Sequence, residues 1–427
     1  MRKLTILSLV LLLLVTGCGA LNPAPPTATA TVPAEIQPTP TPTSSSNGRA
    51  GQMTLTVWLP PFLSPGPGNE SPAAEMLSQR LQEFNQSRPD LQINVRIKAE
   101  RGPGGLLETM QAATTAAPET LPDLIALDPV GLNTAALKGM IQPLGVELDP
   151  PSEESWYPHA IEASQVDGEF YGYPFASDGW ILAYRSSSFT NPPLSWNQLI
   201  ESSRTFLFPA GDSEALFTLI QYEVIGGTLT AEDGRPALNP TTLSSVLASY
   251  ASAQSAGVLP SDLASYETPQ DTWQALLNGR VQSAVSPLSA YFGSDNNTSI
   301  SASPLPTRDG NGVGISQTWN WAIVTNDPVR QIAVQDLIEW LSAPEFLGPW
   351  TQALGYLPPT RAALELWEED SNAAVATLLA SSLRGRPSEE NLATFGQPIH
   401  EAVIAVLNED LTPDAAALQA AQRVQNP

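Results

Sequence analysis

The residues able to do chemistry are few in kind. Histidine occurs twice, at His159 and His400, far apart and each in a helix-like context, and cysteine occurs once, at Cys18. No Cys/His spacing suits a metal, so no metal and no cofactor are expected. A nucleophile elbow, a Ser-x-x-Lys pair and a Walker loop are all missing from the sequence. Gly102-Pro103-Gly104-Gly105 could cradle an anion at a helix start but reads as a turn. Gly310-x-Gly312-x-Gly314 follows no strand of a βαβ unit and reads as a loop. Acids in succession, such as Glu368-Glu369-Asp370, fan outward on a helix into a solvated face. What remains is aromatic: the chain has 10 tryptophans. Trp319 and Trp321 lie two apart on one predicted strand and therefore share a face. Trp58 ends the first predicted strand, on a face its neighbours leave ambiguous, and Asp128 ends the third. Trp196, Trp273, Trp340, Trp350 and Trp367 sit at helical spacings and read as core or surface anchors.

The formal net charge is -24 in 427 residues, and lysine is confined to Lys3, Lys98 and Lys138. Such a surface repels nucleic acid and anionic headgroups, so neither is an expected partner.

The N-terminus suggests another attachment. Arg2 and Lys3 precede an apolar run from Leu4 to Val15 that is shorter than the ~20 residues of a spanning helix. It has the proportions of a signal-peptide core. Val15-Thr16-Gly17-Cys18 matches a lipobox, in which the cysteine is acylated. Residues 1–17 are therefore read as a lipoprotein signal peptide. Residues 18–52 are read as lipidated Cys18 plus a tether, because Pro, Thr, Ala and Ser dominate Leu21 to Gly51 and such a segment buries no core. At ~3.1 Å per residue it would reach roughly 90 Å.

The body begins near Met53. Thr54 to Leu59 alternates as a strand, and Ser71-Pro72 opens a helix with Ala74, Leu77, Leu81 and Phe84 on one face. Gln92 to Ile97 alternates again, Leu106 to Ala117 is helical, and Asp123 to Asp128 is a short buried strand. This βαβαβ order predicts a parallel doubly wound sheet, with ligands beyond the carboxyl ends of its strands. The loops Pro60 to Asn69 and Asp128 to Asn133 therefore matter. Beyond Ser195 the pattern predicts helices at 196–208, 214–225, 241–256, 268–278 and 329–341, and strands at 282–285 and 319–325. Residues 361–424 read as helical.

The order of these pieces resembles the family 1 extracellular solute-binding proteins, the group that includes maltose-binding protein. The likeness runs from Met53 to the C-terminus. It rests on Phe84-Asn85 through Val95, Pro122-Asp123-Leu124, Lys138 to Leu144, and Val166-Asp167-Gly168-Glu169-Phe170-Tyr171-Gly172-Tyr173-Pro174 with Ala183-Tyr184-Arg185. Ser195 to Leu199, Leu277 to Arg280 and Gly355 to Arg361 complete it. Arg185-Ser186 stands where the family usually has Asn-Lys. The resemblance implies a periplasmic-binding-protein-like type II α/β fold: two α/β lobes with a hinge and an interlobe cleft. Lobe 1 would hold 53–174 plus 315–350, and lobe 2 would hold 175–314 plus 351–427, with hinge crossings near Pro174, Gly314 and Tyr356.

The same resemblance implies a binding protein, not an enzyme, that delivers a small solute to ABC permease subunits. It would work as a monomer on the extracytoplasmic face of the cell membrane, held by lipid on Cys18. Flat aromatic faces and planar hydrogen-bonding groups suit a carbohydrate ligand. By resemblance Trp319 and Trp321 border the cleft, while Asp178, Trp180 and Phe175 lie in the crossover, Asp178 as a ligand-facing acid. Tyr291 lines the second lobe, and Asp128 and Trp58 lie at strand ends near the mouth. Maltose itself is not implied: Ser289 stands where maltose-binding protein has a tryptophan, and Val130-Gly131-Leu132 replaces a charged cluster. Two other readings are a tethered glycosidase, which would need paired carboxylates about 5–5.5 or 6.5–9.5 Å apart, and a sensor or adhesin on the same fold.

Overall fold

The computed structural model describes residues 52–65, 69–145, 148–294, 299–368 and 371–425. The signal peptide, Cys18 and the tether up to Gly51 lie outside the described residues.

The first five elements follow from local sequence. Strand β1 spans Met53–Leu59, helix α1 Pro72–Ser87, β2 Leu91–Ile97, α2 Leu106–Ala116 and β3 Leu124–Leu127. Ser71 caps α1 by accepting a hydrogen bond from the Ala74 N–H, and Pro72 occupies the first turn. β1 pairs in parallel with both β2 and β3, as the βαβαβ order requires.

Two long strands then join this half to the rest. β4 is Gly172–Arg185 and β8 is Gly314–Ile323. Between them come β5 Phe206–Leu207, β6 Ser283–Pro287 and β7 Ile300–Ser303, and after them β9 Leu383–Gly385. The sheet runs β2-β1-β3-β8-β4-β6-β5, with β9 on β8 and β7 on β4. β4 and β8 are antiparallel to each other and belong to both halves. At about 3.3 Å per residue, the 14 residues of β4 extend roughly 46 Å.

Apolar side chains collect into two cores, one on each side of this shared pair. The first gathers Leu55, Trp58, Leu77, Ile125, Phe175, Trp321, Leu337 and Trp350. The second gathers Ile181, Trp196, Phe208, Phe217, Tyr250, Leu288, Leu379 and Phe395. Tyr157 packs with the second core, and Phe175 and Ala363 with the first.

A buried polar chain stitches the shared strands. His159 Nε2 lies 3.2 Å from Ser177 Oγ, Ser177 Oγ 2.8 Å from Thr318 Oγ1, and Thr318 Oγ1 2.8 Å from Ser316 Oγ. Burial pushes the His159 pKa down to about 3, so the ring stays neutral at physiological pH. A third segment joins here: Ser177 and Leu357 exchange backbone hydrogen bonds of 2.8 and 2.9 Å.

Two expectations change. The helix at Trp196 stops at Ser202 because Ser203 adopts a left-handed conformation, and the β-prone run after it pairs with β6 as β5. β8 begins at Gly314, five residues before the strand expected at Trp319. Among the described residues, no helix is long and apolar enough to cross a membrane.

Candidate functional site

The carboxyl ends of the first three strands meet the shared strands at one place. After β1, the short turn Pro61–Leu63 presents Phe62. Its ring meets Trp319 edge-on at 5.1 Å and stacks in parallel on Tyr356 at 5.3 Å. After β2, Glu100 and Arg101 lead into a turn closed by a Gly102 N–H donating to Glu108 Oε1 at 3.0 Å. Gly102 and Gly104 both have positive φ there, which a side chain would strain. After β3, Asp128 caps helix α3, Pro129–Leu137, by accepting from the Gly131 N–H at 2.7 Å. Its other oxygen accepts from Arg101 Nη2 at 2.6 Å.

The shared strands contribute Asp178 and Trp319. Asp178 accepts from the Gly179 N–H at 2.7 Å, from the Ser289 N–H at 2.9 Å and from Ser289 Oγ at 2.6 Å. Removal from water pushes its carboxyl pKa up, against these donors. Glu100 is raised first by partial desolvation and then by the Asp128 and Asp178 carboxylates, with Arg101 opposing. Desolvation also works against the charge on Arg101, but Asp128, Glu389 and Glu214 outweigh it and raise the pKa. Burial, followed by the charges of Asp178 and Glu100, raises Tyr356 well above the usual phenol range.

The facing wall comes from the other core. Arg386 donates to Glu214 at 2.6 Å and to Glu389 at 2.9 Å. The gap between α3 and the 385–389 segment is a pocket of about 180 Å³, floored in part by Ser316. A cavity of about 110 Å³ lies beside it, bounded by Glu100, Arg101, Asp128, Val130 and Trp319. Larger hollows of about 970 and 720 Å³ open elsewhere and include none of Phe62, Glu100, Asp128, Asp178 and Trp319.

The structure therefore brings Trp319, Asp128 and Asp178 to one region. Trp319 is itself 5% exposed in the first core yet lines the cavity of about 110 Å³, whereas four other expected contacts are taken up by packing alone. Phe175 is fully buried and stacks on Trp321 at 4.1 Å. It lies where the pairing of β4 and β8 slips, Trp319 opposing Ala176 and Asn320 opposing Pro174. Trp321 is 1% exposed in the first core, and its Nε1 has no hydrogen-bond partner among the described residues. Trp58 is buried there too, and Lys98 Nζ lies 4.8 Å from its ring centre. Tyr291 packs edge-on against Phe292 in the second core. Trp180 is half-buried against the second core.

Phe62, Glu100, Arg101 and Arg386 are additions to the sequence reading, which names Ser289 only as a replaced family contact and Tyr356 only as a hinge crossing. The strand-end rule that marked the loops after β1 and β3 applies equally to β2 and would have marked Glu100 and Arg101. Nothing local marks Arg386, and the hydrogen bonds of Ser289 to Asp178, like that of Arg386 to Glu214, arise only from distant partners. Among the described residues no group of His, Cys, Asp and Glu is arranged to hold a metal.

Comparison with known proteins gives a consistent picture. No curated protein sequence matches the chain significantly. Among solved structures, the cyclic α-maltosyl-1,6-maltose binding protein of Arthrobacter globiformis superposes with a TM-score of 0.71 at 18% identity, covering 88% of this chain and 99% of that one. The sugar-binding protein MalE of Xanthomonas citri gives 0.69 at 19%, covering 88% and 97%. The maltose-bound MalE3 of T. maritima gives 0.64 at 18%, covering 88% and 99%. At these identities the likeness is one of fold: two lobes around a cleft. A family model for bacterial extracellular solute-binding proteins matches residues 79–377, and the chain belongs to that family.

Proposed function

We propose that the protein captures a small sugar or oligosaccharide between its two lobes and delivers it to a membrane permease of an ABC importer. The observation that carries this reading is the convergence of Phe62, Trp319 and Glu100 with Asp178, Tyr356 and Ser289 at one cleft. Aromatic rings offer flat faces to the C–H surfaces of a sugar, and carboxylates accept from its hydroxyls. The fold is shared with proteins whose names or bound ligands are maltose, maltotetraose and mannotriose. Family membership carries an extracytoplasmic location, and the family and these neighbours are binding proteins.

The lobes in this reading are 53–174 plus 315–350 and 175–314 plus 351–427. In support, the two apolar cores divide near these limits. The pockets of about 180 and 110 Å³ are each below the roughly 300 Å³ at which small-molecule sites begin. Entry of a sugar thus needs the lobes to part, and its contacts with both walls favour their return. The single cysteine, Cys18, after an apolar run supports lipid anchoring, with the Pro/Thr-rich segment as tether.

A thermal-shift screen over mono- and oligosaccharides tests the reading, because a ligand that binds only the folded chain raises its melting temperature. At least one saccharide is expected to raise it, and Phe62→Ala to remove the rise. No shift with any saccharide contradicts the proposal.

A further inference from the structure

We propose that the captured sugar carries a protonated amine, so that the preferred ligand is an amino sugar or amino-oligosaccharide rather than a neutral or acidic one. This rests on the sugar-capture reading and concerns the charge of the same cleft. The first wall and the shared strands bring together Glu100, Asp128 and Asp178, and the opposite wall adds Glu214 and Glu389 within the electrostatic reach of Arg101. Against these five carboxylates, with Glu108 and Glu162 also lining the two pockets and accepting from backbone N–H groups, stand two guanidiniums, and both are engaged. Arg101 is paired with Asp128. Arg386 is shared between Glu214 and Glu389.

Of the five, two acids are left over. The three donors on Asp178 are backbone N–H groups and a hydroxyl, all neutral. Among the described residues neither Glu100 nor Asp178 has a salt-bridge partner. Excluding water from this region strengthens their repulsion, since the interaction scales inversely with the local dielectric. A sugar hydroxyl hydrogen-bonds such carboxylates but leaves the excess charge in place. An ammonium supplies both the donors and the missing charge. The rings argue the same way: Phe62, Trp319 and Tyr356 cluster beside the two acids, and aromatic faces attract cations. A uronate or sugar phosphate would add negative charge where none is balanced.

Calorimetric titration of the full chain with matched pairs tests this. Glucosamine and glucose, and galactosamine and galactose, differ within each pair only in one amine against a hydroxyl, and the fully deacetylated glucosamine trimer differs from cellotriose in three. In any pair that binds, the amine is expected to bind at least tenfold tighter at pH 7 in low salt. That advantage is expected to shrink at high ionic strength and to vanish in Glu100→Gln. Acidification should erode it too, as Glu100, whose pKa is raised, takes up a proton beside Asp128, Asp178, Arg101 and Tyr356. A neutral sugar that binds as tightly as its amino partner overturns the inference and leaves sugar capture standing. Binding to none of the six while another neutral saccharide raises the melting temperature overturns the inference and leaves sugar capture standing; failure of every saccharide overturns both. Binding of spermidine without any of the sugars overturns the sugar and keeps only the charge.

Discussion

The two walls of the cleft are built from different materials. The wall of the first core presents rings and strand-end acids: Phe62 against Trp319, Glu100 at the rim, Asp128 tied to Arg101. The wall of the second core presents an ion triad, Glu214–Arg386–Glu389, and the Ser289 hydroxyl that holds Asp178. Rings give contact area without needing charge balance, so the first wall is suited to hold a ligand while the lobes are apart. The second wall acts through charge and hydrogen bonds, which strengthen as water leaves. In the proposed function, holding would fall to one side and closing to the other.

The largest break in this picture comes from the first wall. Trp319→Ala should lower stability by about 3–5 kcal/mol, the usual cost of truncating a buried tryptophan, and should abolish saccharide binding. Urea denaturation and calorimetry read the two effects. Ser289→Ala, on the opposite wall, removes one of three donors from the Asp178 carboxylate. It should cost about 1–3 kcal/mol, because a buried acceptor loses its partner, and should weaken closed-state binding more than it perturbs the first core.

The Asp178 pKa sharpens the comparison further. Its folded value lies above the unfolded one, so the folded state prefers the proton. The penalty of burying the charge is present above the folded pKa and is relieved as pH falls toward the unfolded value of about 3.9. Relative to Asp178→Asn, the parent protein should therefore gain stability on acidification through that window, as melting curves from pH 7 to pH 3.5 would record. Asp128→Ala should cost about 1 kcal/mol through loss of the α3 cap. Arg386→Met should change stability by no more than about 1 kcal/mol, because both its carboxylate partners are over 40% exposed. Its effect should show in the rate of ligand release instead.

The first wall was also the more legible in sequence, and for a physical reason. Strands β1, β2 and β3 announce themselves by alternation or an apolar run, helices α1 and α2 by their caps and breakers, and strand ends point to the site. Asp128 and the loop holding Phe62 followed from that rule alone. Trp319 was reached because a strand with two tryptophans is conspicuous; that Trp321 turns to Phe175 was not, since burial among distant rings leaves no local signature. The second wall was nearly silent. Arg386 lies between a short strand and a long helix, and its partner Glu214 is 172 positions away. The β5 strand was read as a helix because Trp196, Leu199 and Ile200 set a helical rhythm that the left-handed Ser203 ends abruptly.

The central claim, that ligand is held by two walls coming together, is open to small-angle scattering. The protein would be measured alone and saturated with the saccharide that most raises its melting temperature. The account predicts a smaller radius of gyration in the bound state or, if the free protein is already closed, no contraction for the parent but an expansion in Arg101→Met, which removes the attraction across the cleft to Glu214 and Glu389, that ligand reverses. Tight binding with the same dimensions in every case, parent and variant, would contradict it.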